Sequence, residues 1–238
     1  MLRKIGIAAL AICFGLVSTG PAAAGLLFFE WPDTTGGSAG GIDASITATV
    51  AAGVMTTGTT TATNPAYRAS FATPHPSLGY NSPQSGGANI ESTIAFSHPL
   101  PEGARLIVYD LDFNNETVTL SADGVPPALL TQLETTEGAS SFFPAWNPVT
   151  GTLVETHPAS SGNQTEATVF DISGVQLLDV DFHNGGVNSG IRVAIAIPPA
   201  GIPLLPPAGI AALATMLAGA LGIAHRRRVA QLSASVIE

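Results

Sequence analysis

The sequence predicts an all-β fold: one β-sandwich, jelly-roll-like, set between a cleaved signal peptide and a C-terminal transmembrane helix. Three observations carry this. Short apolar stretches alternate with polar residues at period two, and Gly, Pro and Asn punctuate them at short intervals. No long helical periodicity occurs between the two ends. Each end is an uncharged apolar run beside a basic cluster. Many short strands separated by turn signals pack as two sheets rather than as alternating strands and helices.

The chain begins with Arg3 and Lys4, followed by the apolar run Ile5 to Val17 and the small-residue site Ala22-Ala23-Ala24. That order is the pattern of a secretory signal peptide, here residues 1–24, cut before Gly25. The single cysteine, Cys13, lies inside it, so the exported part holds no disulfide. Residues 25–87 form a Gly-, Ser- and Thr-rich first part of the ectodomain, either part of the sandwich or a loosely ordered flank. Strands are expected there at Ile42 to Val50 and Ala66 to Ala72.

Residues 88–198 are expected to hold the sandwich core. Ile90 to Phe96 reads as a strand and Ser97 to Gly103 as a turn. Arg105 to Phe113 reads as the strongest strand, with Ile107, Tyr109, Leu111 and Phe113 on one face. Asn114-Asn115 then turns into Thr117 to Ser121, which predicts a hairpin. Further strands are expected at Thr152 to Thr156, Ala167 to Ile172, Val175 to Phe182 and Gly190 to Ile197.

Two segments share the pattern D-x-D-F-x-N, 69 positions apart, beginning at Asp110 and Asp179. Strand alternation turns Asp110 and Asp112, and likewise Asp179 and Asp181, away from the core. If the two strands are neighbours, four carboxylates share one face and repel without a counterion. Such an oxygen-rich set suits calcium. If they are apart, the aspartates simply solvate an outer face. No other cofactor is implied.

The densest aromatic loop is Phe142-Phe143-Pro144-Ala145-Trp146-Asn147. Phe143 and Trp146 are candidates for carbohydrate contact, against the plainer reading that they pack beneath a loop. Catalytic signals are poor. Gly36-Gly37-Ser38-Ala39-Gly40 matches the G-x-S-x-G nucleophile turn in letters but lacks the helix that must follow it. The histidines are scattered without metal-ligand spacing. A non-enzymatic role is expected.

The C-terminal stretch Ile197 to Arg228 has a Pro-rich entry, an apolar run and three arginines. Ala208 to Ala224, 17 residues, would reach about 25 Å as a helix, and Ile202 to Pro207 bring it to bilayer thickness. Basic residues stay cytoplasmic, so everything from Gly25 to about Pro198 is expected outside the inner membrane. That segment carries three arginines, no lysine and sixteen carboxylates, a net charge of −13. A surface of this sign repels phosphate backbones and excludes a nucleic-acid role.

The tail Ile197-Pro198-Pro199-Ala200-Gly201-Ile202-Pro203-Leu204-Leu205, its apolar helix and Arg226, Arg227 and Arg228 together resemble a family of bacterial C-terminal sorting signals. This is the PEP-CTERM group, in its VPLPA-type variant, with one residue missing between the two prolines. The resemblance covers residues 199–228, with 229–238 left as a cytoplasmic tail. It implies recognition by an exosortase-type transpeptidase, cleavage near the Pro motif, and co-occurrence with extracellular polysaccharide as a partner. A plain single-pass anchor is the alternative. The expected product is an exported protein, transiently held in the membrane and then released to the cell surface or medium. Its expected role is structural or adhesive, with a carbohydrate-binding module as the alternative and a secreted hydrolase as a distant one.

Overall fold

A computed structural model describes residues 25–82, 87–111, 116–136, 143–156, 166–184 and 190–199. The expected signal peptide, residues 1–24, and the tail from Ala200 onward with Arg226, Arg227 and Arg228, lie outside these residues. Among the described residues, no helix is long and apolar enough to cross a membrane.

The described chain is two antiparallel sheets and one short helix. The first sheet runs β4 (Val54–Thr60), β5 (His75–Asn81), β14 (Gly190–Ile197), β7 (Arg105–Tyr109), β12 (Glu166–Asp171), β9 (Ala128–Glu134). A short β1 (Leu27–Phe28) pairs with the end of β14. The second sheet runs β10 (Ala145–Asn147), β11 (Thr152–Val154), β8 (Glu116–Ala122), β13 (Leu177–Asn184), β6 (Ala88–Phe96), β3 (Ile42–Ala52), β2 (Gly36–Ala39). Strands of residues 25–82 therefore enter both sheets, β3 against β6 and β5 against β14.

The expected sandwich is present because alternate residues of both sheets meet in one core. Ile90, Ile94, Val118, Leu120, Val180 and Phe182 of the second sheet pack with Leu78, Leu106, Val108, Phe170, Val193 and Ile195 of the first. Each such side chain, fully buried, contributes about 1.5–3 kcal/mol of transfer free energy. The first sheet is also covered on its far side, where Ile107, Tyr109, Val169 and Ala194 pack under Tyr67 and Phe71. Its central strands are buried on both faces, which is why IRVAIAI and RLIVY read as almost unbroken apolar runs.

Three expectations need correction. Ala66 to Ala72 is not a strand: Pro65–Ser70 is a helix, α1, capped by Asn64, whose side chain accepts from the Ala66 N–H at 2.8 Å. Asn followed by Pro at the first helical position favours a helix start over the period-two pattern. The strand from Arg105 ends at Tyr109 because Asp110 turns to φ 65°. Leu111 thereby joins Leu106 and Val108 in the inner core, while Ile107 and Tyr109 face outward. The hairpin from 105 to 121 does not form, since β7 and β8 lie in opposite sheets.

Candidate functional site

The second sheet leaves its outer face open, and that face is built from the polar half of four strands. In β13 the sequence LLDVDFHN sends Leu178, Val180 and Phe182 inward and Asp179, Asp181 and His183 outward. Register then fixes their neighbours. Thr93 of β6 and Ser121 of β8 flank Asp179, and Glu91 and Thr119 flank Asp181. Thr47 and Thr49 of β3 extend the same two rows. The result is an open groove of about 370 Å³ walled by hydroxyls and carboxylates.

The electrostatics of the groove are one-sided. Thr93 Oγ1 donates to Asp179 Oδ1 at 2.7 Å, which satisfies one carboxylate. Partial burial, then the charges of Glu91 and Asp179, hold the Asp181 carboxyl above the usual carboxylate range. Among the described residues, no cation lines the groove. Hydroxyls and carboxylates so arranged exchange hydrogen bonds with a polyhydroxylated or neutral polar surface and repel an anionic one.

The D-x-D-F-x-N reading is met in one half only. Asp179 and Asp181 point outward as expected, but Asp110 lies at the end of β7 in the other sheet, and Asp112 lies outside the described residues. The four aspartates do not share a face. Glu91 stands beside Asp181 instead, a partner visible only once the register of β6 and β13 is known. Among the described residues, no group of three or more His, Cys, Asp or Glu side chains is placed to hold a metal ion.

Trp146 lies on β10 and turns inward, its ring centroid 4.6 Å from that of Phe170. Its ring is half-buried and packs against the core. Phe143 is half-buried, and its carbonyl accepts from Thr156 Oγ1 at 3.0 Å. Gly36–Ala39 forms β2, with Ser38 bridged to Glu30, so the G-x-S-x-G letters lie in an edge strand. Gly37 is needed there for approach: a Cβ would stand 2.4 Å from the Trp31 ring. Of the residues expected to form a sorting motif, Ile197 closes β14 in the core, Pro198 and Pro199 follow it, and Ala200 lies outside the described residues.

A second polar cluster lies on the covered side of the first sheet. His75 Nε2 is 2.9 Å from Tyr67 Oη and 3.0 Å from Tyr109 Oη, and the two phenols hydrogen-bond to each other. Phe28 stacks on the imidazole at 4.0 Å. Burial pushes both phenols up and pushes His75 below its ordinary value. The cluster is neutral and closed on itself, joining α1, β5 and β7. Its members are 8, 34 and 42 positions apart, so no local pattern announces it.

No protein-family model matches the chain, and no curated protein matches it. Among solved structures, the enzymatically active domain of bacteriophage CBA120 tailspike protein 4 is similar at 14% identity and a TM-score of 0.32. The match covers 64% of this chain and 19% of that one, so the chain spans about a fifth of that structure's length.

Proposed function

We propose that the chain is an exported surface or matrix protein whose sandwich has a structural or adhesive role, delivered by an exosortase-type sorting step. The signal-peptide pattern, the Pro-rich entry and the arginine cluster support the address. The observation that carries the role is the contrast between the faces: one sheet is largely covered by the chain itself, and the other presents an open hydroxyl and carboxylate surface. In this reading the eight central strands, β5-β14-β7-β12 and β6-β13-β8-β11, are those of a jelly roll, in which β8 and β11 share a sheet and the other consecutive strands alternate between sheets. In this reading the protein is not an enzyme.

The mass of the protein recovered from cells and from medium tests the address. A product beginning at Gly25 and lacking everything after about Pro198 is expected. A product that keeps Arg226 to Arg228 overturns sorting in favour of a plain anchor. Carbohydrate binding is the second reading, favoured by the groove beside Asp179 and Asp181. A pull-down on neutral polysaccharide should lose signal in Asp179→Ala, and an unchanged signal removes that groove from consideration.

A further inference from the structure

The covered side of the first sheet has its own opening, and an arginine lies in it. Arg192 is half-buried on β14, with Gly79 of β5 on one side and Tyr109 of β7 on the other. Its guanidinium lies across β4: a Cβ on Gly58 would stand 2.7 Å from Arg192 Nη1. Glycine at 58 is therefore what gives the guanidinium its bed. Around it is a groove of about 250 Å³ lined by Thr59, Thr60, Tyr109, Asp110 and Thr135.

The charge inventory makes this arginine unusual. The described ectodomain has three arginines. Arg105 pairs with Asp171 at 3.3 Å, and Arg68 is exposed on α1. Arg192 makes no ion pair among the described residues, although sixteen carboxylates are spread over residues 25–198. A planar guanidinium held in a groove is a carboxylate receptor by geometry. Asp110, in the same groove, disfavours a bare anion or an acidic peptide. It suits a ligand that brings hydroxyl donors together with its carboxylate. The threonine hydroxyls beside it fit the same ligand, and the volume is that of one small residue rather than a drug-sized molecule.

We propose that this groove binds the carboxylate-bearing sugar residue of an acidic polysaccharide, with Arg192 on the carboxylate and Asp110 on a ring hydroxyl. The acidic face of the second sheet repels such a polymer, so an anionic matrix meets this protein on the opposite side. The proposal rests on the adhesive reading only in taking its partner to be a saccharide.

Titration of the purified full chain with a short oligouronate, followed by calorimetry or ligand NMR, tests it directly. The carboxyl-reduced neutral oligomer, acetate and an oligoglutamate peptide serve as the other arms. The oligouronate should bind, and each other arm should bind on the order of tenfold more weakly, as expected for loss of a charged hydrogen-bond partner. Arg192→Gln should weaken oligouronate binding by at least about tenfold with the melting temperature unchanged. Gly58→Val should do the same by displacing the guanidinium. Equal binding of the neutral oligomer, of acetate or of the peptide overturns the proposal, as does wild-type affinity in Arg192→Gln or no binding at all. Because the assay uses purified protein, failure here leaves export and sorting untouched, and an unprocessed tail in cells leaves this result untouched.

Discussion

The two sheets share one core but treat their outer faces in opposite ways. On the first sheet Tyr67, Phe71 and Phe28 cover Ile107, Tyr109 and Val169 and seal a neutral Tyr–His–Tyr cluster. On the second, Thr93, Glu91, Asp179 and Asp181 line an open groove with no element over them among the described residues. The difference teaches where stability is housed. Substitutions in the apolar cover around Tyr67 should act on folding, and substitutions on the open face should act on charge and contact.

Tyr67→Ala should have the largest effect. It empties a fully buried site and strands His75 and Tyr109, costing about 3–5 kcal/mol in denaturant unfolding. A loss under about 1 kcal/mol would mean that the cover is not part of the cooperative fold.

Next in size is an effect of acid. Burial places the folded-state pKa of His75 below the ordinary 6.5. The neutral imidazole therefore contributes stability that is present above pH 6.5 and lost as pH falls through the folded-state value. Stability should drop by up to about 1.4 kcal/mol per pH unit in that window. His75→Gln should flatten the profile, and an equally steep profile in that variant would assign the slope elsewhere.

The open face should respond more weakly and with the opposite sign. Asp181 has a raised folded-state pKa, so its contribution to stability is intact below pH 3.8 and lost as pH rises through the folded-state value. Asp181→Asn should therefore stabilise the protein at neutral pH by about 0.2–1 kcal/mol, less at high salt. The gain should vanish in melts below pH 3.8. Thr49→Ala, at the rim of the same groove, should change stability by no more than about 0.5 kcal/mol.

The contrast also explains what was readable in the chain. Strands with one wet face announce themselves: β6 and β13 follow their alternation closely, and β3 does so as far as Ile46. So does the outward turn of Asp179 and Asp181. The strands β4 and β5 were missed because VMTTGTT and HPSLGYN carry Gly, Pro and Thr where a local reading expects a loop; pairing with each other and with β14 decides them. Glu91 beside Asp181, and His75 between two tyrosines, depend on register across distant segments. The strand order is of the same kind, since β7 and β8 adjoin in sequence yet lie in opposite sheets. The helix at Pro65 did have a local signal, the Asn64 cap, which the apparent alternation of Ala66 to Ala72 obscured.

The placement of β14 has a mechanical side. It is a central strand, hydrogen-bonded by β7 along one edge and by β5 and then β1 along the other, and the chain leaves it at Pro198. Pulling on that exit along the strand axis runs across antiparallel hydrogen bonds that lie perpendicular to the strand. The bonds on both edges are then strained together in shear. An edge strand such as β9 or β10, pulled along its axis, would resist with the bonds of one side only. A protein tethered through this end, for however long, hangs from a strand held along both edges.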